Sequence, residues 1–242
     1  KIRINLDPEK PATFALRLRI PTWTGGQFVP GELYRYAKSG PKVDWSLTVN
    51  GKPVKAPEST RLWRYHKPNG LICTNRDPLG RETIFDRLSR DLPRVITIGR
   101  LDLTSEGVLL LTNDGDLAAH LTHPRHGIER VYEARVRGVP DGRALKRLAS
   151  GVLLDRRRTA PARARLLRAG RGQRGDQAVL QLVITEGRKR QVRHMCEAVG
   201  HPVVRLRRVR IGPIEDPGLK PGRYRDLTSV EVAALRRAVV RG

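Results

Sequence analysis

The sequence predicts an α+β fold, because strand patterns and helix patterns are mixed along most of its 242 residues. Segments such as AVLQLVITEG and ERVYEARVRG are rich in β-branched residues and alternate in polarity, which is typical of strands. Segments such as DGRALKRLASG and TSVEVAALRRAVV have helical spacing of apolar residues and capping residues at their ends. A chain of this length has room for one large domain or two smaller ones.

Residues 1–57 are predicted to form a β-rich segment. FALRLRI alternates with period two, PTWTGG and VPGEL interrupt it with turn formers, and WSLTVNGKPV predicts two strands joined by an Asn-Gly turn. The pattern of turn residues then changes. We therefore place a domain boundary near residues 55–58.

From Glu58 to Gly151 the sequence predicts mixed elements. RLWRYHKP and LICTNRD are predicted strands, TIFDRLSRDL a helix and VITIGRLD a strand. DLAAHLTH is a predicted helix with Asp114 or Asp116 as its cap, ERVYEARVRG a strand, and DGRALKRLASG a helix closed by Gly151.

The last third repeats this alternation. AVLQLVITEG predicts a strand and RKRQVRHMCEAVG a helix ended by Gly200, while TSVEVAALRRAVV predicts a helix with Thr228 and Glu231 at capping-box spacing. The arginine-rich residues 156–175 predict a basic hairpin. Strict alternation in HPVVRLRRVRIG places Arg208 and Arg210 on one face of a strand.

Charge is the unusual feature of the composition. Lys and Arg number 48 against 24 acidic residues, which gives a net charge of +24 and a sequence pI near 11.3. Such a chain repels itself when compact unless it meets a polyanion. Nucleic acid is therefore the first partner to expect.

Several classes of protein are disfavoured. The two cysteines, Cys73 and Cys196, form no Cys-x-x-Cys pair, and the histidines form no His-x-x-x-His pair, so we expect neither a disulfide framework nor a bound metal. The apolar runs are far shorter than the roughly 18 residues of a membrane span, and no signal-peptide pattern is present. We expect a cytoplasmic protein without membrane contact.

The segment GRLDLTSEGVLLLTNDG, residues 99–115, holds the acidic residue that stands out. Alternation along TIGRLD would put Asp102 beside Arg100 on one face of a strand. Asp114 and Asp116 follow a strand and flank a glycine, which is ordinary turn and cap chemistry. A glycosidase usually needs two carboxylates at a set separation, and Asp102 stands alone. The sequence equally allows Asp102 to be a turn residue at a strand end.

A family resemblance gives Asp102 more weight. GRLDLTSEGVLLLTNDG, ERVYEARVRG and TEGRKRQVRHMCEAVGHPVVRLRRVRIG, preceded by RLWRYHKPNGLICTNRDPLGRETIFDRL, resemble in this order the motifs of the bacterial rRNA pseudouridine synthases that act without a guide RNA, particularly on large-subunit rRNA. The resemblance spans residues 58–240. It implies that residues 58–242 are a catalytic domain with a central mixed, largely antiparallel sheet, flanking helices and a basic cleft. The implied reaction isomerises uridine to pseudouridine in ribosomal RNA without a cofactor.

The same resemblance implies roles for three residues. Asp102 would be the nucleophile that breaks the uridine N-glycosidic bond, and Arg193 would pair with it, as a permanently charged fork suits a carboxylate. Tyr132 would stack on the target base and help with proton transfer. The residues alone leave alternatives open: Arg193 as a helix residue facing RNA or solvent, and Tyr132 as a strand residue half buried against the core.

Further residues are predicted to bind RNA. Arg100 resembles the residue that fills the gap left by the extruded uridine, and a simple phosphate contact is its alternative. Arg188, Lys189, Arg190 and Gln191 stand at a predicted helix N-terminus, where phosphate is favoured. For the three cations a solvated surface is the alternative.

Residues 1–50 depart from the family pattern, in which a small helical RNA-binding domain usually comes first. TFALRLRIPTWTGGQFVPGELYRYAKSG instead is similar to a β-sandwich segment of β-L-arabinofuranosidase-type glycoside hydrolases, without a catalytic constellation. The sequence thus leaves two rivals to the predicted monomeric enzyme: a catalytically idle rRNA-binding or ribosome assembly factor, and a sugar hydrolase.

Overall fold

The structure is a computed structural model that describes residues 59–89, 91–172, 175–216 and 218–240, together with two short strands, β1 (Thr48–Val49) and β2 (Lys52–Pro53). The chain divides into two compact units, Lys1–Pro57 and Glu58–Gly242. In the first unit β1 and β2 pair antiparallel, as predicted for WSLTVNGKPV. The other predictions for residues 1–57, including the glycoside hydrolase similarity, lie outside the described residues.

The second unit is built on a nine-stranded sheet. Its strands are β3 (Leu62–Lys67), β4 (Ile96–Ile98), β5 (Ser105–Thr112), β6 (Arg130–Arg137), β9 (Arg163–Gly172), β10 (Gly175–Ile184), β11 (Val203–Ile211), β12 (Ile214–Glu215) and β13 (Tyr224–Asp226). A separate small hairpin consists of β7 (Leu153–Leu154) and β8 (Arg157–Arg158). The helices are α1 (Ile84–Arg87), α2 (Gly115–Thr122), α3 (Gly142–Ser150), α4 (Gln191–Ala198) and α5 (Ser229–Val240), with a 3-10 turn at Pro124–His126.

The strand order confirms the predicted α+β class and the mixed, largely antiparallel sheet. The main path runs β13-β3-β5-β11-β6-β10-β9, while β4 pairs with β5 and β12 with β11. Within the described sheet only the β5–β11 pair is parallel. This pair joins the two halves of the chain, because β5 precedes and β11 follows the β6–β10 region in sequence.

The predicted helix boundaries follow from capping residues. The Asp114 carboxylate accepts a hydrogen bond from the Leu117 N–H at 3.0 Å and begins α2. Thr228 and Glu231 exchange the two bonds of a capping box before α5. Gly151, with φ +88°, ends α3 in a conformation that other residues rarely adopt. Of the two strands of the basic hairpin, only β9 lies wholly within residues 156–175, the range predicted for it. It pairs with β10, so the hairpin extends further along the chain than predicted.

Three element predictions were wrong. LICTNRD forms no strand: Ile72 makes a single bridge to Thr83, and the rest of this stretch is irregular. TIFDRLSRDL is helical only over Ile84–Arg87, because Leu88 is already extended. The strand predicted for VITIGRLD stops at Ile98, since Gly99 takes φ +73° and turns the chain away from the sheet. Asp102 therefore lies in a turn rather than beside Arg100 on a strand.

Three clusters of buried side chains hold the helices to the sheet. One packs α3 and α4 against β6, β10 and β11 and contains Leu148, Met195 and Leu182. Another packs α2 and α5 against β3, β4 and β5, and the third surrounds Trp63 and Tyr65. In the part of the chain described here, the helices are all too short or too polar to cross a membrane.

Candidate active site

A cavity of about 800 Å³ lies on the face of the sheet where β6 and β11 meet the turn before β5. Most of the sequence-predicted site residues line it: Arg100, Asp102, Tyr132, Arg188, Lys189, Arg190 and Gln191. They come from three separate stretches of the chain. The parallel β5–β11 pairing brings these stretches together.

Asp102 occupies the turn between β4 and β5. Its backbone carbonyl accepts a hydrogen bond from the Ser105 N–H at 3.0 Å, which shapes the turn, and the Leu103 carbonyl accepts one from the Gly70 N–H at 2.9 Å. The Asp102 side chain forms neither a hydrogen bond nor an ion pair with any residue that the structure describes. Its oxygens are therefore available to a ligand.

The other carboxylates of the cavity are engaged. Asp77 is held by Arg81 at 2.8 Å, and this partner lowers the pKa of Asp77 to about 2. Glu186 accepts hydrogen bonds from the Gln191 amide at 2.6 Å and from the Ala160 N–H at 2.9 Å, and it lies 3.3 Å from Arg188. Among the carboxylates that line the described cavity, Asp102 alone is free to react.

Tyr132 stands in the middle of β6, only 8% exposed, with one part in the apolar cluster and one part in the cavity wall. The Arg208 Nη1 donates to the Tyr132 hydroxyl oxygen at 3.4 Å, and the guanidinium carbon lies 6.0 Å from the ring centroid. The structure thus places Tyr132 both in the apolar cluster and in the cavity wall, with its hydroxyl bonded to Arg208. Its stacking on a base stays a prediction.

The expected ion pair between Arg193 and Asp102 is absent from this structure, which corrects the sequence prediction. Arg193 is 8% exposed and donates instead to the Thr104 carbonyl at 2.6 Å and to the Val203 carbonyl at 3.2 Å. Burial lowers the pKa of Arg193, and the nearby Asp102 charge raises it. Arg193 therefore holds the end of the turn that carries Asp102, and its role in the reaction stays a prediction.

Two of the predicted RNA-binding residues bond within the protein, and their contact with RNA stays a prediction. Gln191 is 3% exposed, and its side chain bonds the Arg188 N–H at 2.9 Å as well as Glu186. The Arg188 guanidinium donates to the carbonyls of Arg157 and Arg158 at 3.1 and 2.7 Å. Both residues shape the loop before α4, whereas Lys189 and Arg190 are exposed at the cavity.

Arg208 is a site residue that sequence reasoning missed. It is 2% exposed, and its Nε donates to the Val108 carbonyl at 2.8 Å. The expected common face of Arg208 and Arg210 is wrong, because the β6–β11 register shifts between them. Arg208 faces the cavity and Arg210 the opposite side. Leu206 is an apolar residue two positions before Arg208, and side chains two positions apart share a face of a strand. Leu206 was therefore the sequence signal for the orientation of Arg208.

Lys67 was also missed, although it is fully buried behind the turn. Its Nζ donates to the carbonyls of Pro68 at 2.9 Å and Ser105 at 2.8 Å, with Leu103 at 3.5 Å. Two of these carbonyls belong to the turn that carries Asp102. Lys67 is therefore a positioning residue for that turn.

A Lys67→Met variant should reveal this buried charge as a pH-dependent stability difference. Burial lowers the pKa of Lys67 from 10.5 to about 8. Between these two pH values Lys67 is protonated in the unfolded chain and neutral in the folded chain. Because the unfolded chain binds the extra proton, rising pH increases the free energy of unfolding of the wild type. Its advantage over the variant should grow by up to about 3 kcal/mol between pH 8 and 10.5, as measured by urea unfolding.

The exposed Lys146 provides the control, since Lys146→Met should leave the pH dependence unchanged. Burial raises the pKa of Cys73, which opposes the trend in all three proteins and largely cancels in the comparison. A wild-type advantage over Lys67→Met that stays constant across this pH range would contradict the prediction.

Comparisons with known proteins agree with this geometry. A family model described as "RNA pseudouridylate synthase" matches residues 61–198. The chain is 41% identical over 199 residues to the "Ribosomal large subunit pseudouridine synthase B" of Bacillus subtilis, covering 81% of this chain and 80% of the relative. It is 39% identical over 215 residues to the protein of the same name from Escherichia coli O157:H7, covering 85% and 73%.

A solved structure described as "Crystal structure of pseudouridylate synthase" superposes with a TM-score of 0.67 at 31% identity, covering 76% of each chain. The family model spans the turn with Asp102, the strand with Tyr132 and the helix with Arg193. These are the motifs on which the sequence resemblance depends. The chain belongs to the RNA pseudouridylate synthase family.

Proposed function

We propose that this chain isomerises uridine to pseudouridine in ribosomal RNA, and specifically in large-subunit rRNA. The observation that carries the proposal is the single unpaired carboxylate, Asp102, in a cavity whose lining also includes a fixed tyrosine and several arginine and lysine side chains. The names of the relatives from Bacillus subtilis and Escherichia coli support the choice of substrate.

In this reaction Asp102 acts as the nucleophile that breaks the N-glycosidic bond of the target uridine. The freed base rotates and a ring carbon bonds to the sugar, which releases the Asp102 carboxylate. That carbon then loses a proton, and the freed ring nitrogen gains one. No atom is gained or lost, so neither water nor a second free carboxylate is needed. This fits a cavity whose other acidic side chains are engaged.

Tyr132 supplies a flat ring beside the base and a hydroxyl at the rim of the cavity. The hydroxyl already accepts from Arg208, so the phenol oxygen has a fixed position. We assign Tyr132 to stacking on the base and to moving the proton that leaves the carbon.

The cations divide into two groups. Arg193 and Arg208 are buried and bond the turn around Asp102 and the tyrosine beside it, so we assign them to holding these two groups in place. Arg100, Lys189 and Arg190 are exposed at the cavity. We assign Arg100 to the gap left by the extruded uridine and the other two to phosphates.

We propose that residues 58–242 form the catalytic domain, that the chain works as a monomer in the cytoplasm, and that the reaction uses no cofactor. Residues 1–57 would be an appendage without activity of its own.

Incubation of the purified chain with transcripts of large- and small-subunit rRNA tests the proposed function. We expect pseudouridine at a defined position of the large-subunit transcript only, mapped by chemical labelling and primer extension. Modification of the small-subunit transcript alone would correct the substrate. Binding without product in either transcript would favour the idle assembly factor.

A further inference from the structure

The face of the sheet opposite the cavity carries exposed and half-buried arginines on β6, β9 and β11. Tyr132 and Leu182 point to the cavity side, where α3 and α4 cover the sheet. Their neighbours along the strands point the other way, because side chains alternate across a sheet. On β6 these neighbours are Arg135 and Arg137, and both are exposed.

The register of the strands aligns arginines across this opposite face. Arg205 of β11 lies opposite Arg135 of β6, which lies opposite Val179 of β10, which lies opposite Arg168 of β9. One cross-strand row therefore carries three arginines. Neighbouring strands are about 4.8 Å apart, so these cations form a compact line.

The adjacent rows continue this pattern. One runs from Arg207 through Glu133 and Gln181 to Arg165, and the next from Arg210 through Val131 and Val183 to Arg163. We call the whole surface the arginine face. It comprises Arg135, Arg137, Arg163, Arg165, Arg168, Arg205, Arg207 and Arg210.

About half of the arginine face is neutralised by carboxylates. Glu129 pairs with Arg163 at 2.8 Å and with Arg210 at 3.2 Å. Glu106 pairs with Arg205 at 2.7 Å and Asp216 with Arg207 at 2.9 Å. The remaining side chains have no hydrogen bond or ion pair with any described residue: Arg135, Arg137, Arg165 and Arg168.

The free cations lie toward the β9 end of the face. The other end holds a depression of about 410 Å³ that also contains the carboxylates of Glu133, Glu215 and Asp216. A polyanion would therefore bind best over β6, β10 and β9. It would meet Arg135, Arg165 and Arg168 first.

This arrangement is unfavourable for the isolated protein. The four arginines without a partner lie close together on one face, and like charges at short range repel. A chain of charge +24 gains no solubility from concentrating cations in one plane. Bound phosphate would offset the repulsion, and guanidinium groups suit phosphate because they donate in pairs.

The chemistry of the face points to the backbone of folded RNA. The side chains that β6, β9, β10 and β11 direct to this face, among the residues described, are arginine, valine, glutamate and glutamine. A surface for single-stranded RNA usually offers aromatic rings on which bases stack, and none is directed here. Helical RNA presents mainly phosphates and 2′-hydroxyls, for which arginine suffices.

We infer that the arginine face is a second RNA-binding surface, which contacts the phosphates of a helical segment outside the one that carries the target uridine. The inference rests on the proposed function only for the identity of the RNA. It extends the substrate from a short stem-loop to a larger folded piece of ribosomal RNA.

The test neutralises three of the four free cations in the full chain, as R135Q/R165Q/R168Q. The control, R94Q/R143Q/R237Q, removes the same charge from exposed arginines away from the face that also lack bonded partners among the described residues. Binding is measured between 50 and 200 mM salt on two RNAs. One is the mapped target stem-loop, and the other is a large-subunit fragment that adds the flanking helices.

On the longer fragment the face variant should bind at least about tenfold more weakly than the control. Its slope of log affinity against log salt should be shallower by about 2 to 3, since each lost phosphate contact removes nearly one unit. On the stem-loop, affinity and kcat should match the control. Thermal unfolding should show no loss of stability, because the three replaced side chains are exposed and bond no described residue.

Equal affinities of the two variants for the longer fragment would overturn the inference and leave the face to an acidic protein partner. Equal losses of affinity for both RNAs would also overturn the inference. The arginines would then attract any RNA by long-range electrostatics and would not contact a second helical segment. The binding comparison needs no turnover. If the wild-type protein makes no pseudouridine, the target stem-loop is unknown, and a stem-loop of random sequence takes its place in the binding comparison. A failure of the proposed function is then distinguishable from a failure of this inference.

Discussion

Replacement of Asp102 by asparagine should abolish pseudouridine formation, with a loss on the order of 10⁴-fold or more. The amide keeps the size of the side chain but is no nucleophile, and the other carboxylates that line the cavity are held by Arg81 or by the loop before α4. None of them can take over. Single-turnover assays on the mapped rRNA fragment measure the loss.

RNA affinity of Asp102→Asn should be equal to that of wild type or higher. The substitution removes a negative charge from a cavity that binds a polyanion, so the electrostatic balance shifts toward binding. Filter binding at fixed salt checks this. An active variant, or one that has also lost RNA binding, would contradict the role given to Asp102.

Asp77 provides the matched control, because its carboxylate lines the same cavity and is bonded to Arg81. Asp77→Asn should retain kcat within about tenfold while it loosens the local turn. If Asp77→Asn were as inactive as Asp102→Asn, the lack of a bonded partner would not distinguish the reacting carboxylate, and the assignment of Asp102 as the nucleophile would lose its support.

Gly107→Ala should destabilise the protein by about 4 kcal/mol, through a clash and a strained backbone together. Gly107 lies on β5 opposite Arg208 of β11, with φ +108°. A Cβ there would lie 2.1 Å from the Arg208 carbonyl oxygen and 2.9 Å from its nitrogen. The strands would have to separate at the one parallel pairing in the described sheet.

Gly218 separates the two causes, because it has nearly the same φ, +110°, while a Cβ added there would meet no described atom within 4 Å. Gly218→Ala should cost only the strain, about 1 to 2 kcal/mol. Chemical denaturation of both variants measures the difference. Equal destabilisation would show that the close approach of β5 and β11 is unimportant.

The sequence by itself determined the local structure of this protein. Alternation and turn residues located β6, β9, β10 and β11, and the caps at Asp114 and Thr228 began helices where predicted. These signals are local, because a cap or a period depends on residues only a few positions apart. The motif resemblance also identified Asp102 and Tyr132, which the structure brings to one cavity.

Only the tertiary structure decided which side chains meet across that cavity. Arg193 bonds the Thr104 carbonyl rather than Asp102, and Arg208 reaches Val108 from 100 residues away. Both contacts depend on β11 lying parallel to β5 and on the bulges in the β6–β11 pair. A one-residue shift in register reverses the face of every later side chain, so strand order and register decided which cations face the cavity and which form the arginine face.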